Sequence, residues 1–183
     1  MSKEIYIKNG KSAIVDDEDY SKLVKISWNL NKGYAINSSL GFMHRIIVNL
    51  TSDDKNLFVD HINHNILDNR KENLRIVTKT QNDYNRKPLE NNQTGYKGVI
   101  KYSFISKRTG KEVVKYKVKI VKNGKKYTGG MVYEIPEEAA LRYNEMAKIL
   151  FGEYAYLNEV DMSKIPRKSD LNIYLKEYMR SMK

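Results

Sequence analysis

The chain has 183 residues, with 33 Lys and Arg against 22 Asp and Glu, a formal net charge of +11. That excess points to a polyanionic partner, because a protein that neutralises phosphates releases their condensed counterions. The chain has no cysteine and three histidines, which excludes disulfides and thiolate or His-rich zinc sites and fits a reducing, cytosol-like compartment; no run approaches the roughly 18 apolar residues of a membrane span.

In chain order, Ile5, Tyr6 and Ile7, the Asn9-Gly10 turn and Ala13-Ile14-Val15 predict a β-hairpin. The acidic run Asp16 to Asp19, followed by Tyr20, Leu23 and Val24, predicts the charged first turn of a short helix. Trp28, Tyr34 and Ile36 suggest further strand, so residues 1–42 read as a β-rich structural lead-in. In Met43-His44-Arg45-Ile46-Ile47, His44 is expected to be a packed helix residue. A helix-prone segment runs from Thr78 to Arg86, and residues 85–95, with a proline, three asparagines and a glycine, have the composition of a linker.

Beyond the linker, Tyr96 to Lys101, Val113 to Val121 and Lys125 to Val132 predict three antiparallel strands, the last two joined by an Asn123-Gly124 turn. In the second, Tyr116, Val118 and Ile120 should face a core while Lys115, Lys117 and Lys119 form a cationic face. Pro136, Glu137 and Glu138 open a helix that should cover the apolar face and end at Gly152; a last helix is expected from Asp170 to Met182. Residues 93–158 carry 13 basic and 6 acidic side chains, whereas residues 1–92 carry 14 and 12. The electrostatic footprint is therefore expected in the second half.

The chemistry-bearing stretch is Val59-Asp60-His61-Ile62-Asn63-His64-Asn65, then Asp68-Asn69-Arg70, then Asn73-Leu74-Arg75. A carboxylate beside an imidazole, with Asn82, Asn85 and Arg86 on one face of the following helix, supplies hard oxygen ligands and a base able to deprotonate water. These residues point to a metal-assisted hydrolase. His64 reads as a solvated turn residue.

At Asp60-His61-Ile62-Asn63, Asn69, Asn73-Leu74-Arg75 and Asn82, the chain resembles the ββα-metal motif of HNH endonucleases over residues 43–86. The resemblance implies that His61 is the general base, Asp60 a metal ligand and Asn73 the residue bracing the loop. Asn82, where the family's last His usually stands, would be the second ligand, with Asn85, one turn later, the alternative. Arg45 would lie near the phosphates, and Arg86 would join the DNA contacts. An amide in place of the last His suits magnesium, or manganese, better than zinc.

Residues 93–158 in turn resemble the AP2 DNA-binding domain, through Tyr96-Lys97-Gly98-Val99, Tyr116 to Ile120, Gly124-Lys125, Gly129, Glu137 to Ala140, Tyr143, Gly152 and Leu157-Asn158. That resemblance implies DNA contacts at Lys97, Lys119, Lys125 and Tyr127; Lys117 joins them from the strand pattern. Ile100 and Val121 stand where plant members carry guanine-reading arginines, so the family's sequence preference does not transfer.

The expected whole is an α+β protein: a lead-in (1–42), an HNH nuclease module (43–92), an AP2-like three-stranded sheet packed on a helix (93–158) and a helical tail (159–183). Its partner would be double-stranded DNA, with no membrane and no small-molecule cofactor. It would act in the cytoplasm of a phage-infected or bacterial cell, in a homing or mobile-element role. A non-catalytic AP2-like transcriptional regulator and an RNA-directed nuclease are the alternatives.

Overall fold

In the computed structural model, which describes residues 1–8 and 10–165, the first strands form where apolar residues alternate. Strands β1 (Ser2–Ile7) and β2 (Lys11–Asp16) pair antiparallel, with Ile5 opposite Ala13 and Lys3 opposite Val15. Ile5, Ile7, Ala13 and Val15 thereby share one buried face. The expected turn residue Asn9 and the expected helix from Asp170 to Met182 lie outside the described residues.

Helix α1 (Asp17–Leu23) has Asp17, Glu18 and Asp19 in its first turn, where carboxylates complement the helix dipole. Trp28 is buried and its indole N–H donates to the Leu23 carbonyl at 2.9 Å. A small antiparallel sheet follows, of β3 (Asn29–Asn31), β4 (Tyr34–Asn37) and β5 (Gly41–Phe42), and leads into the short helix α2 (Met43–Ile47). Ile5, Val15, Trp28, Ala35, Met43, Ile47 and Leu74 belong to one hydrophobic core. The lead-in and the segment after residue 42 therefore share their core.

Strands β6 (Leu57–His61) and β7 (Leu74–Thr78) pair antiparallel, and helix α3 (Lys79–Asn85) continues directly from β7. Its start is a capping box: Gln81 Oε1 accepts from the Thr78 N–H at 2.8 Å, and Thr78 Oγ accepts from the Gln81 N–H at 3.3 Å. Such a cap contributes about 1 kcal/mol to the helix. Residues 1–85 and 86–183 are two compact units.

In the second unit, β8 (Val99–Ile105), β9 (Glu112–Lys122) and β10 (Lys125–Tyr133) form an antiparallel sheet with β9 central. Helix α4 (Pro136–Phe151) lies against it, with Pro136 in the first turn and Ala139, Ala140, Tyr143 and Ala147 buried. Gly98, at φ +72°, sits so close to the Tyr143 ring that a Cβ would approach it to 2.2 Å. Only glycine meets both the left-handed backbone and the contact. Asn158, also buried, accepts from the Lys97 N–H at 2.7 Å and donates to the Lys97 carbonyl at 3.1 Å, while the Asn144 amide pairs with its backbone at 2.7 and 2.8 Å. These bonds hold the chain after α4 against the start of β8.

Candidate active site

Asp60 and His61 end β6, and both are buried, at 7% and 4% exposure. Asp60 lies directly across from Arg75 in the β6–β7 register. Its Oδ2 accepts from Arg75 Nε at 2.8 Å and from the guanidinium again at 2.7 Å. From α3, Asn85 Nδ2 reaches Asp60 Oδ1 and Oδ2, each at 3.0 Å. A buried carboxylate held from both sides keeps one orientation.

The loop between His61 and Leu74 is braced by Asn73. Its side-chain oxygen accepts from the Asn63 N–H at 2.9 Å and its amide donates to the Asp68 carbonyl at 2.7 Å. Asn63 and Arg70 both donate to Asp68, which holds that carboxyl below its ordinary range, chiefly through the Arg70 hydrogen bond. From the N-terminal hairpin, Ile14 N–H donates to the Leu67 carbonyl at 2.8 Å and the Ile14 carbonyl accepts from Asn69 N–H at 2.7 Å. The lead-in thus pins the loop that carries Asn69.

Asn69 in turn faces His61: its Oδ1 lies 3.2 Å from His61 Nε2. Because the Asn69 Nδ2 contacts the Leu67 carbonyl and Met43 Sδ, its oxygen is the atom presented to the ring. The Nε2 nitrogen must then carry the proton, which leaves the lone pair on Nδ1. Nδ1 has no hydrogen-bond partner among the described residues, nor is it a fully buried unpaired atom. Nδ1 is thus the basic nitrogen of the ring.

Around this imidazole stand Tyr34 and His44, at ring-centroid distances of 5.9 and 5.3 Å, and Phe42 stacks on His44 at 5.4 Å. Burial holds His61 below the ordinary histidine value, against the Asn69 hydrogen bond and the Asp60 and Asp68 charges, which raise it. His44 is pushed down to about 3, chiefly by burial, with His61 and Arg45 adding repulsion. Both rings are neutral near pH 7. The sequence suggested His44 only as packing; its contact with His61 joins residues 17 positions apart.

Among the described residues no three His, Cys, Asp or Glu side chains come together as a metal cage. Asp60 offers a carboxylate whose Oδ1 accepts from Asn85, and Asn82 is a half-buried amide one turn before Asn85 on the same helix. One carboxylate with amide oxygens is a hard, sparse donor set, which could hold a divalent ion that keeps water and phosphate ligands. The structure brings Asn85, rather than Asn82, against Asp60.

Other expected contacts are distributed differently. Arg45 donates to the Leu57 carbonyl at 3.1 Å and to the Thr51 carbonyl, so it ties down the 51–57 turn. Arg86 is exposed just after α3, and Lys97 Nζ donates to its carbonyl at 2.7 Å. On the sheet, Lys117 and Lys119 are exposed on one face, as alternation predicts. Tyr127 pairs with buried Ile120 and Lys125 with Lys122, which puts both on the opposite, helix-bearing face; the residues from β10 beside Lys119 are Lys126 and Thr128. A pattern read within one strand does not reveal the register of its neighbour.

No helix among the described residues is long and apolar enough to cross a membrane. No solved structure matches the chain. The HNH endonuclease family model matches residues 42–84, the interval from α2 through β6 and β7 to α3. An uncharacterized HNH endonuclease of Acanthamoeba polyphaga mimivirus is 38% identical over 160 residues, 83% of this chain and 77% of that protein. Likeness of that extent reaches well beyond the matched motif, and the chain belongs to the HNH endonuclease family of nucleases.

Proposed function

We propose that the protein is a divalent-metal-dependent endonuclease that hydrolyses phosphodiester bonds in duplex DNA, in a homing or mobile-element role, with residues 93–158 as an AP2-like DNA-binding domain. The observation that carries the reading is the His61 imidazole, buried beside Asp60 with Nε2 turned to Asn69 and Nδ1 left as the basic atom. His61 Nδ1 removes the proton from the attacking water. Asp60 and Asn82 hold the ion, while Arg75 and Asn85 fix the Asp60 carboxylate. When bound, magnesium or manganese supplies Lewis-acid stabilisation of charge developing at the scissile phosphate and the departing oxygen. Asn73 keeps the loop, and through it Asn69, in place.

Lys117 and Lys119 carry phosphate contacts, joined by Lys126 from the adjacent strand. The test is a supercoiled-plasmid cleavage assay with magnesium, comparing the wild type with His61→Ala. Cleavage should disappear in the variant while DNA affinity stays within about twofold, because the base acts in the transition state and makes no ground-state contact with the duplex. Near-wild-type cutting by His61→Ala would remove His61 from the mechanism.

A further inference from the structure

The face of the β8–β9–β10 sheet opposite α4 has a composition that bears on what it reads. Its membership follows from register: Ile100 pairs with Lys117, Thr128 with Lys119, Lys126 with Val121 and Val132 with Lys117. Cross-strand partners share a face, so Phe104, two residues beyond Tyr102 and four beyond Ile100, lies there too. No outward residue of these strands is Arg, Asn or Gln, the side chains that form paired hydrogen bonds with guanine or adenine.

Apolar groups stand there in the open. Phe104 is 47% exposed, Val121 49% and Val132 52%. They alternate with cations: Lys117 lies over the Tyr102 ring at 5.1 Å, and Lys119 and Lys126 are exposed. Lys115 is paired with Glu134. A face with excess positive charge complements the DNA backbone. In the major groove, the apolar feature a base pair presents is the thymine C5-methyl group.

We propose that this face recognises thymine methyl groups in duplex DNA through Val121, Val132 and Phe104, while Lys117, Lys119 and Lys126 hold the flanking phosphates. The inference rests on the reading that the sheet meets duplex DNA, and it makes sequence preference a matter of apolar contact rather than hydrogen-bond pairing. Burying one methyl group strengthens binding about fourfold. A face with three exposed apolar side chains can bury more than one.

The experiment measures binding of the full chain, in calcium to suppress cutting, to an A·T-rich 40-bp duplex and to the same duplex with every thymine replaced by uracil. A G·C-rich duplex with cytosine or 5-methylcytosine serves as the second pair, since it varies the methyl without changing the base pair. The wild type should bind the methylated member of each pair at least fourfold tighter. The variant carrying Phe104→Ser, Val121→Ser and Val132→Ser together, all at exposed positions, should bind both members of each pair equally. Equal wild-type affinity for both members overturns the inference and leaves the DNA-binding reading standing. Failure to bind any duplex overturns both. A preference that persists in this triple variant overturns it too, since the methyls would then be read elsewhere.

Discussion

Acidifying the protein from pH 7.5 to 5 should destabilise the first unit, and His44 should account for a defined share. His44 sits at about 3 in the folded protein against 6.5 when exposed, chiefly because its charged form would be buried among Phe42, Tyr34 and His61. The folded value is depressed, so between about 3 and 6.5 the unfolded chain binds more protons. Stability is therefore complete above about 6.5 and is lost as pH falls through that window. At pH 5 an unfolded histidine is largely protonated while His44 is not, which costs about 2 kcal/mol. With a urea m-value of about 1 kcal/mol/M, the midpoint should drop by about 2 M from this residue alone. His61, held low by burial, adds to the same trend. Urea titrations followed by Trp28 fluorescence suit the measurement, because Trp28 is the single tryptophan and shares a core with Met43, next to His44. His44→Leu, with His44→Phe as a second variant, should reduce the loss between pH 7.5 and 5 by about 2 kcal/mol, whatever its effect at neutral pH. The carboxylates are common to all three proteins and cancel. An undiminished pH dependence in both variants would refute the claim that His44 is held neutral by the fold.

Three further outcomes follow from the site and the sheet. Cleavage should require magnesium or manganese and stop with chelator, and in calorimetric manganese titrations Asp60→Ala and Asn82→Ala should abolish binding while Asn85→Ala weakens it about tenfold, as loss of an orienting partner does; abolition by Asn85→Ala with Asn82→Ala intact would transfer the ligand role one turn along α3. Asn73→Ala should destabilise the protein by about 1–3 kcal/mol in urea denaturation, because the Asn63 N–H and the Asp68 carbonyl lose their partner; an unchanged midpoint would mean that Asn73 does not brace the loop. Replacing Lys117 and Lys119 together should reduce the slope of log K against log salt by about 1 to 2, at about 0.9 per neutralised phosphate, and an unchanged slope would move the DNA contact away from this face.

The nuclease family was legible from Asp60-His61, Asn73 and the asparagines of residues 82–85, because the metal motif is local: two strands and a helix within 43 residues of chain. The hairpin, the acid-led α1, the helix-prone segment after β7 and α4 were legible for the same reason, since alternation, helical spacing and first-turn charges are properties of neighbouring residues. What the tertiary structure decided are contacts between distant segments. The N-terminal hairpin read as a structural lead-in, yet Ile14 holds the loop that aims Asn69 at His61, across more than 50 residues. Which amide on α3 meets Asp60 depends on how that helix lies on β6, which spacing along the helix cannot specify, and the structure brings Asn85 where the motif suggested Asn82. On the sheet, alternation separated the lysines of β9 from its core residues, but only register assigned Tyr127 and Lys125 to the helix side and Lys126 to the cationic one. A one-residue shift in pairing reverses every such assignment, because side chains alternate with a period of two.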